Sequence, residues 1–272
     1  MASCLEELLR CDPSNSDFGV LSHADLVEVF SCLEQPSISI ERLAKLEWAY
    51  LKIFNHHAGP PTLSRYLAQN PSFFVDVISR VYRPRSPQGH EAEEAQAELE
   101  TSTDEARESI ARNAYQLLSG WRILPGTRED GTIDGEALKQ WIYEARDLLG
   151  TAHRLEVGDI HIGSVLASSP PAPNGIWPCV EVRDVLEVLQ SAEVESGLQM
   201  RIHNDRGVTM RGMLDGGGQE LELAAKYREQ SEQLADQWPR TAAVLRGLAG
   251  SYEQEARHYE ADAERRRKGL ET

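Results

Sequence analysis

"RGVTMRGMLDGGGQELEL", residues 206–223, decides how the rest of the chain is read. Two arginines flank a β-branched run, and three glycines then open a helical pattern. The stretch is either a phosphate cradle or a hinge at the foot of a helix. A nucleotide-hydrolase loop ends in Gly-Lys-Ser/Thr, so that backbone amides and a lysine meet the β- and γ-phosphates. Here Gln219 and Glu220 follow the glycines. A carboxylate in the first helical turn suits the helix dipole and repels an arriving phosphate. A dinucleotide fingerprint needs Gly-x-Gly-x-x-Gly behind a strand; Gly216 and Gly218 supply two, and Leu221 stands where the third belongs. The expected role is therefore a hinge, or a close backbone approach to a neighbouring helix. The competing anion site would consist of Arg206, Arg211, Gly216, Gly217 and Gly218, with "GVTMRGM" as a brief extended ribbon.

Beyond the glycines the apolar spacing predicts two long helices, roughly 216–237 and 239–268. Pro239, just after Trp238, suits a sharp corner between antiparallel partners. Upstream, "IDGEALKQWIYEARDLLG" places Leu138, Trp141, Ile142, Ala145, Leu148 and Leu149 on one helical side, with Gly150 as its stop. A helix over 103–119 turns Ile110, Ala114, Leu117 and Leu118 inward. Residues 155 onward read as a helix, a proline-stiffened loop and a firm helix from Pro178, and 191–204 as a shorter helix or a turn.

Near the start, Ser3 with Glu6 forms a capping box and Ser22 caps a helix carrying Leu26, Val29, Phe30 and Leu33. Ile40, Leu43, Leu46, Leu51 and Phe54 continue on a broad stripe. Asn70 as cap and Pro71 at the first helical position begin a helix whose inner edge is Phe74, Val77, Ile78 and Val81. Short helices in pairs joined by Pro/Gly turns give a solenoid-like expectation, without a repeat of fixed length. The fold expected is mainly α: a solenoid-like helical part over 1–82, an acidic Pro/Glu-rich linker at 83–103, and a helical domain over 104–272 ending in a long antiparallel pair. The linker assignment rests on composition, since "RPRSPQGHEAEEAQAELETST" has little apolar area to offset its ordering entropy.

Of 272 residues, 28 are Lys or Arg and 44 Asp or Glu, a formal charge of −16. Such a surface disfavours nucleic acid and anionic membrane unless a local basic patch intervenes. The basic spots are "RPRSP" at 83–87 and "RRRK" at 265–268; the second complements its helix dipole and pairs with the acids before it, and nucleic-acid contact through the two spots is the lesser reading. No apolar run approaches the length of a membrane span, and the start carries acids where a secretory leader carries lysines. Cys4, Cys11, Cys32 and Cys179 show no CxxC pair, which implies reduced thiols in a cytoplasmic protein.

Catalytic patterns are missing. His56 and His57 are adjacent and point apart; Asp159 and His161 are two apart, a ligand spacing for a strand and not for a helix; neither HExxH nor a nucleophile elbow occurs. Asp130 and Asp134 are expected to cap the following helix, and Trp48, Trp121, Trp141, Trp177 and Trp238 to serve core and corners. No metal or cofactor is expected.

The blocks "LEWAYLKIF", "NPSFFVDVISRVYRPR", "NAYQLLSGWRILPGTREDGTIDGEALKQWI", "LEVGDIHIGSVLASSPPAPNGIWPCVEVRDVLE" and the whole run from Arg206 to Glu264 carry a resemblance. From about residue 38 the chain resembles the carboxy-terminal part of large, mostly uncharacterised bacterial multidomain proteins. That resemblance implies a stand-alone version or a fragment of a longer polypeptide, and an association with defence against phage or other mobile elements. It brings no catalytic residues. The functional expectation is a non-catalytic scaffold that binds a protein partner or itself, with a small molecule left open; the alternative is a nucleotide- or anion-responsive element at 206–219.

Overall fold

A computed structural model describes residues 3, 28–30, 32–33, 38–51, 60–85, 104–207, 212 and 215–268, the side chains of 104–106 excepted. The protein is mainly helical, and the described residues hold no strand, only a single bridge between Thr127 and Ile133. The capping box at Ser3, the cap at Ser22, the 83–103 linker beyond residue 85 and the ribbon at 207–213 fall largely or wholly outside the described residues. No described helix is long and apolar enough to cross a membrane.

The chain divides into two compact units, 1–158 and 159–272. The expected division set 1–82 and 104–272 apart by a linker at 83–103, most of which lies outside the described residues. In the first unit, α1 (Ile40–Ala49), α2 (Pro61–Gln69) and α3 (Pro71–Val81) pack consecutively, and α3 then packs against α4 (Asp104–Gly120) and α5 (Gly135–Thr151). The reason is a shared aromatic core. Phe74 of α3 is fully buried with ring centroids 5.6 Å from Trp121 and 5.2 Å from Trp141, and the two indoles are 5.6 Å apart. The Trp141 Nε1–H donates to the Leu67 carbonyl at 3.1 Å, tying α5 to the end of α2. Rings this large contribute both area and oriented ring contacts, so residues after 104 cannot be a core separate from residues before 82.

Helix starts in this unit show how local chemistry and distant side chains share the capping. Ser39 accepts from the Arg42 amide, and Asp134 Oδ1 from the Glu136 and Ala137 amides at 3.1 Å each. Asp130 does not join the cap; its carboxylate accepts from the Thr132 amide and hydroxyl at 2.9 and 2.6 Å and closes the turn before it. The start of α2 has Pro60 and Pro61 and no side-chain cap of its own. Glu47 of α1 supplies it, accepting from the Thr62 and Leu63 amides at 2.9 and 2.7 Å while fully buried. Burial pushes its carboxyl upward, and the amide bonds oppose that shift. Asn70 stands at the N-cap of α3 but makes no cap bond; its Nδ2 donates backward to the Tyr66 carbonyl at 3.0 Å. Gly150 is not the stop of α5, which runs to Thr151, with His153 in the left-handed conformation (φ 54°).

The helix α6 (Leu155–Leu166) contains the division point, and α7 (Val180–Leu189), α8 (Ala192–Asp205), α9 (Gly218–Leu234) and α10 (Pro239–Arg267) complete the second unit. The expected terminal pair is present. Gly217 lies against Ala256, and the Ser231 hydroxyl donates to the Ala242 carbonyl at 2.8 Å, so α9 and α10 run antiparallel. Their shared core is Leu234, Ala242, Leu245 and Leu248, with Trp177 and Trp238 packed on it. Pro239 opens α10, and the missing cap comes from α7: Glu187 accepts from the Arg240 and Thr241 amides at 3.1 and 2.9 Å. The "RRRK" tail pairs with its own helix through Asp262, Glu260 and Glu264.

Candidate functional site

Arg206 follows the last residue of α8, Gly216 and Gly217 precede α9, and Gly218 begins it. Arg211 lies outside the described residues. The Arg206 guanidinium is already engaged: it pairs with the fully buried Glu220, and Nη1 stands 3.3 Å from Glu255 Oε2. It also lies 5.4 Å from the Tyr252 ring centre. A Cβ on Gly216 would meet the Glu260 carboxylate at 1.8 Å, and one on Gly217 the Ala256 backbone at 2.4 Å. Gly218 has nothing within 4 Å. The glycines therefore let the foot of α9 approach α10, and Glu220, Glu255 and Glu260 gather where the anion would sit. A phosphate would have to displace a buried carboxylate from its arginine and face two more, at a cost set by uncompensated charge.

The other candidates have structural occupations. Asp159, buried, accepts from the Ser191 hydroxyl at 2.8 Å, and Ser191 also caps α8. Arg183, buried, donates to the Pro178 and Ile176 carbonyls at 2.7 and 2.6 Å and lies 4.9 Å from the Trp238 ring, whose Nε1–H donates to Asp184 at 2.8 Å. Burial lowers His161 to about 4, so its half-buried ring is neutral near pH 7. The Cys179 thiol is buried and pushed upward by that burial, the reverse of what activates a nucleophile. His56 and His57 lie outside the described residues. Among the described residues no three His, Cys, Asp or Glu side chains stand together as a metal cluster.

What the sequence did not reveal is a cleft of 470 Å³ in the second unit, walled by the 167–177 loop, the end of α8, α9 and Tyr252 of α10. Trp177 is held there by its Nε1–H bond to the Ser169 carbonyl at 2.8 Å. The Tyr227 and Tyr252 rings are parallel at 5.8 Å. Burial first, and then Tyr252, pushes the Tyr227 phenol up to about 12. No spacing rule marks these residues, because the wall is assembled from four separate segments; the one legible hint was Trp177 beside a proline loop. No family model, no curated protein and no solved structure matches the chain.

Proposed function

We propose that the chain is a non-catalytic helical scaffold for protein–protein contact, acting as part of a larger cytoplasmic bacterial assembly with a role in defence, in keeping with its resemblance to the carboxy-terminal part of large, mostly uncharacterised bacterial proteins. The observation that carries this reading is the use of three buried charges and one half-buried one, Glu187. Glu47 and Glu187 each hold the first amides of a proline-started helix, Arg183 holds the turn before α7, and Glu220 is matched with Arg206. Each joins one helix or loop to another. Outward, helix faces carry large apolar side chains, among them Tyr115 (54% exposed), Val188 (57%) and Leu221 (55%). Exposed single apolar residues are ordinary, so the test must be specific. Light scattering and cross-linking of the full chain in its native host should return a stoichiometric complex, and Val188→Glu or Leu221→Glu should weaken it without lowering Tm. A chain that stays monomeric and partnerless in its host, or a complex indifferent to both substitutions, refutes the proposal.

A further inference from the structure

The cleft beside Trp177 goes beyond a scaffold role. At 470 Å³ it falls within the range of small-ligand sites. Its polar groups divide into two sets. Asp205 receives the Arg201 Nε–H at 2.8 Å, and Arg206 is held by Glu220 and Glu255. The other set is available. Lys226 places its ammonium 5.6 Å from the Tyr227 ring centre, with no carboxylate among the described residues within ion-pairing distance. The Gln230 amide lines the same cleft, and its carbonyl oxygen is buried without a donor among the described residues. A buried acceptor left without a donor is costly, and a ligand N–H toward which the half-buried amide turns relieves that cost.

Both groups project from α9 at positions four apart, which puts them on one helical face. Around them are three aromatic side chains, Trp177, Tyr227 and Tyr252. A cation, an unmet acceptor and aromatic walls are complementary to three features of one molecule. We propose that this cleft binds a planar aromatic ring carrying an N–H donor and one anionic substituent, the ring against Trp177, Tyr227 and Tyr252, the anion on Lys226 and the N–H on Gln230. The chain's net negative charge opposes anions at long range. That opposition is screened within a Debye length of roughly 8 Å at 0.15 M salt, so the local ammonium governs.

The test uses the full chain in 0.15 M salt with three probes differing by one group each: indole-3-acetate, its neutral amide indole-3-acetamide, and benzothiophene-3-acetate, which lacks the ring N–H. Affinity is read by displacement of anilinonaphthalene sulfonate and by the rise in Tm. Indole-3-acetate should bind saturably at one site, with the amide and the benzothiophene each about ten-fold weaker, a difference of about 1.4 kcal/mol. Lys226→Ala should erase the preference for acid over amide, and Gln230→Leu the preference for indole over benzothiophene. Lys226 is exposed, so its variant folds and keeps the first comparison valid. Equal affinity of the three probes, preferences that survive the substitutions, or no saturable binding of indole-3-acetate overturns the proposal. None of these outcomes bears on the protein complex tested above.

Discussion

The crossing of α6 and α8 gives the sharpest test of how this chain packs. A Cβ on Gly163 would stand 1.9 Å from the Val194 carbonyl oxygen, and one on Gly197 2.0 Å from that of Ile160. The obstacles are backbone atoms of the facing helix, so no rotamer change relieves them. Ordinary contact begins at 3.4 Å, and Gly163→Ala therefore requires the helices to part by 1.5 Å, from 3.4 − 1.9. A gap of only about 0.5–1 Å already forfeits a quarter to a half of a dispersion well. Val194 and Leu198, both fully buried, lie at this seam. Overpacking costs of about 1–3 kcal/mol are typical where side chains can give; here backbone must move, so the cost should reach about 3–4 kcal/mol. Against it stands the gain of about 0.5–1 kcal/mol for replacing a helical glycine with alanine. The net expectation is a loss of about 3 kcal/mol for either substitution.

The double variant sharpens the point. Once one alanine has parted the helices, the second finds most of its space already made, so the pair should cost little more than either alone, a coupling well beyond the additivity expected of independent sites. Gly250→Ala in α10 is the control, since nothing lies within 4 Å of its added methyl, and it should stabilise by about 0.5–1 kcal/mol. Urea unfolding followed by circular dichroism measures all four proteins, reading the transition that the substitutions displace. A neutral or stabilised Gly163→Ala, or a double variant whose loss is the sum of the singles, would refute the close crossing.

Three further outcomes follow from the same geometry. Glu187→Ala removes the acceptor for the Arg240 and Thr241 amides and should cost about 1–2 kcal/mol in urea unfolding, with faster hydrogen exchange at those two amides; unchanged exchange there would contradict the borrowed cap. His161 drops to about 4 when folded and has the ordinary value of 6.5 unfolded, so the unfolded chain binds the extra proton between those values. Stability is complete above pH 6.5 and falls as pH drops through 4, by at most about 3 kcal/mol, and His161→Phe should flatten that limb of the pH–stability curve. Tyr227, pushed up to about 12 against 10 unfolded, works in the opposite sense: stability falls as pH rises above 10, by at most about 2–3 kcal/mol, and an ultraviolet titration should show one phenol fewer above pH 11 in Tyr227→Phe.

The parts of the fold written in the sequence are those set by neighbours a few residues apart. The apolar stripe around Leu138, Trp141, Ile142, Ala145 and Leu149 is buried as its spacing requires, with Leu148 at its edge 37% exposed. Pro239 begins α10 because proline tolerates the first helical turn. Where a residue has two local partners, spacing does not choose between them: Asn70 is equally the C-cap of one helix and the N-cap of the next, and the Tyr66 carbonyl wins its side chain. Contacts between residues 15 or 54 apart, such as Glu47 with Thr62 and Glu187 with Thr241, follow from packing and leave no period to detect. The core shared by residues on either side of 83–103 was illegible for a related reason. A polar, proline-rich segment says that its own residues bury little, and nothing about whether Phe74 before it and Trp121 after it share a core.

The glycines of 206–223 show how one sequence signal serves opposite chemistries. Backbone stripped of side chains brings amides close to a phosphate when cations and free amides surround it, and brings one helix close to another when they do not. What separates the two is the charge around the bare backbone. Glu220 sits in the first turn of α9, takes Arg206, and faces α10, where Glu255 binds the same guanidinium. The first of these is adjacent in sequence and was legible; the second is contributed by a helix that returns only after the corner at Pro239. The same return brings Tyr252 beside Tyr227 and so forms the cleft wall. Closing the hairpin thus fills the would-be anion site with carboxylates and opens a differently equipped one, whose cation, Lys226, lies on α9 two turns past the glycines.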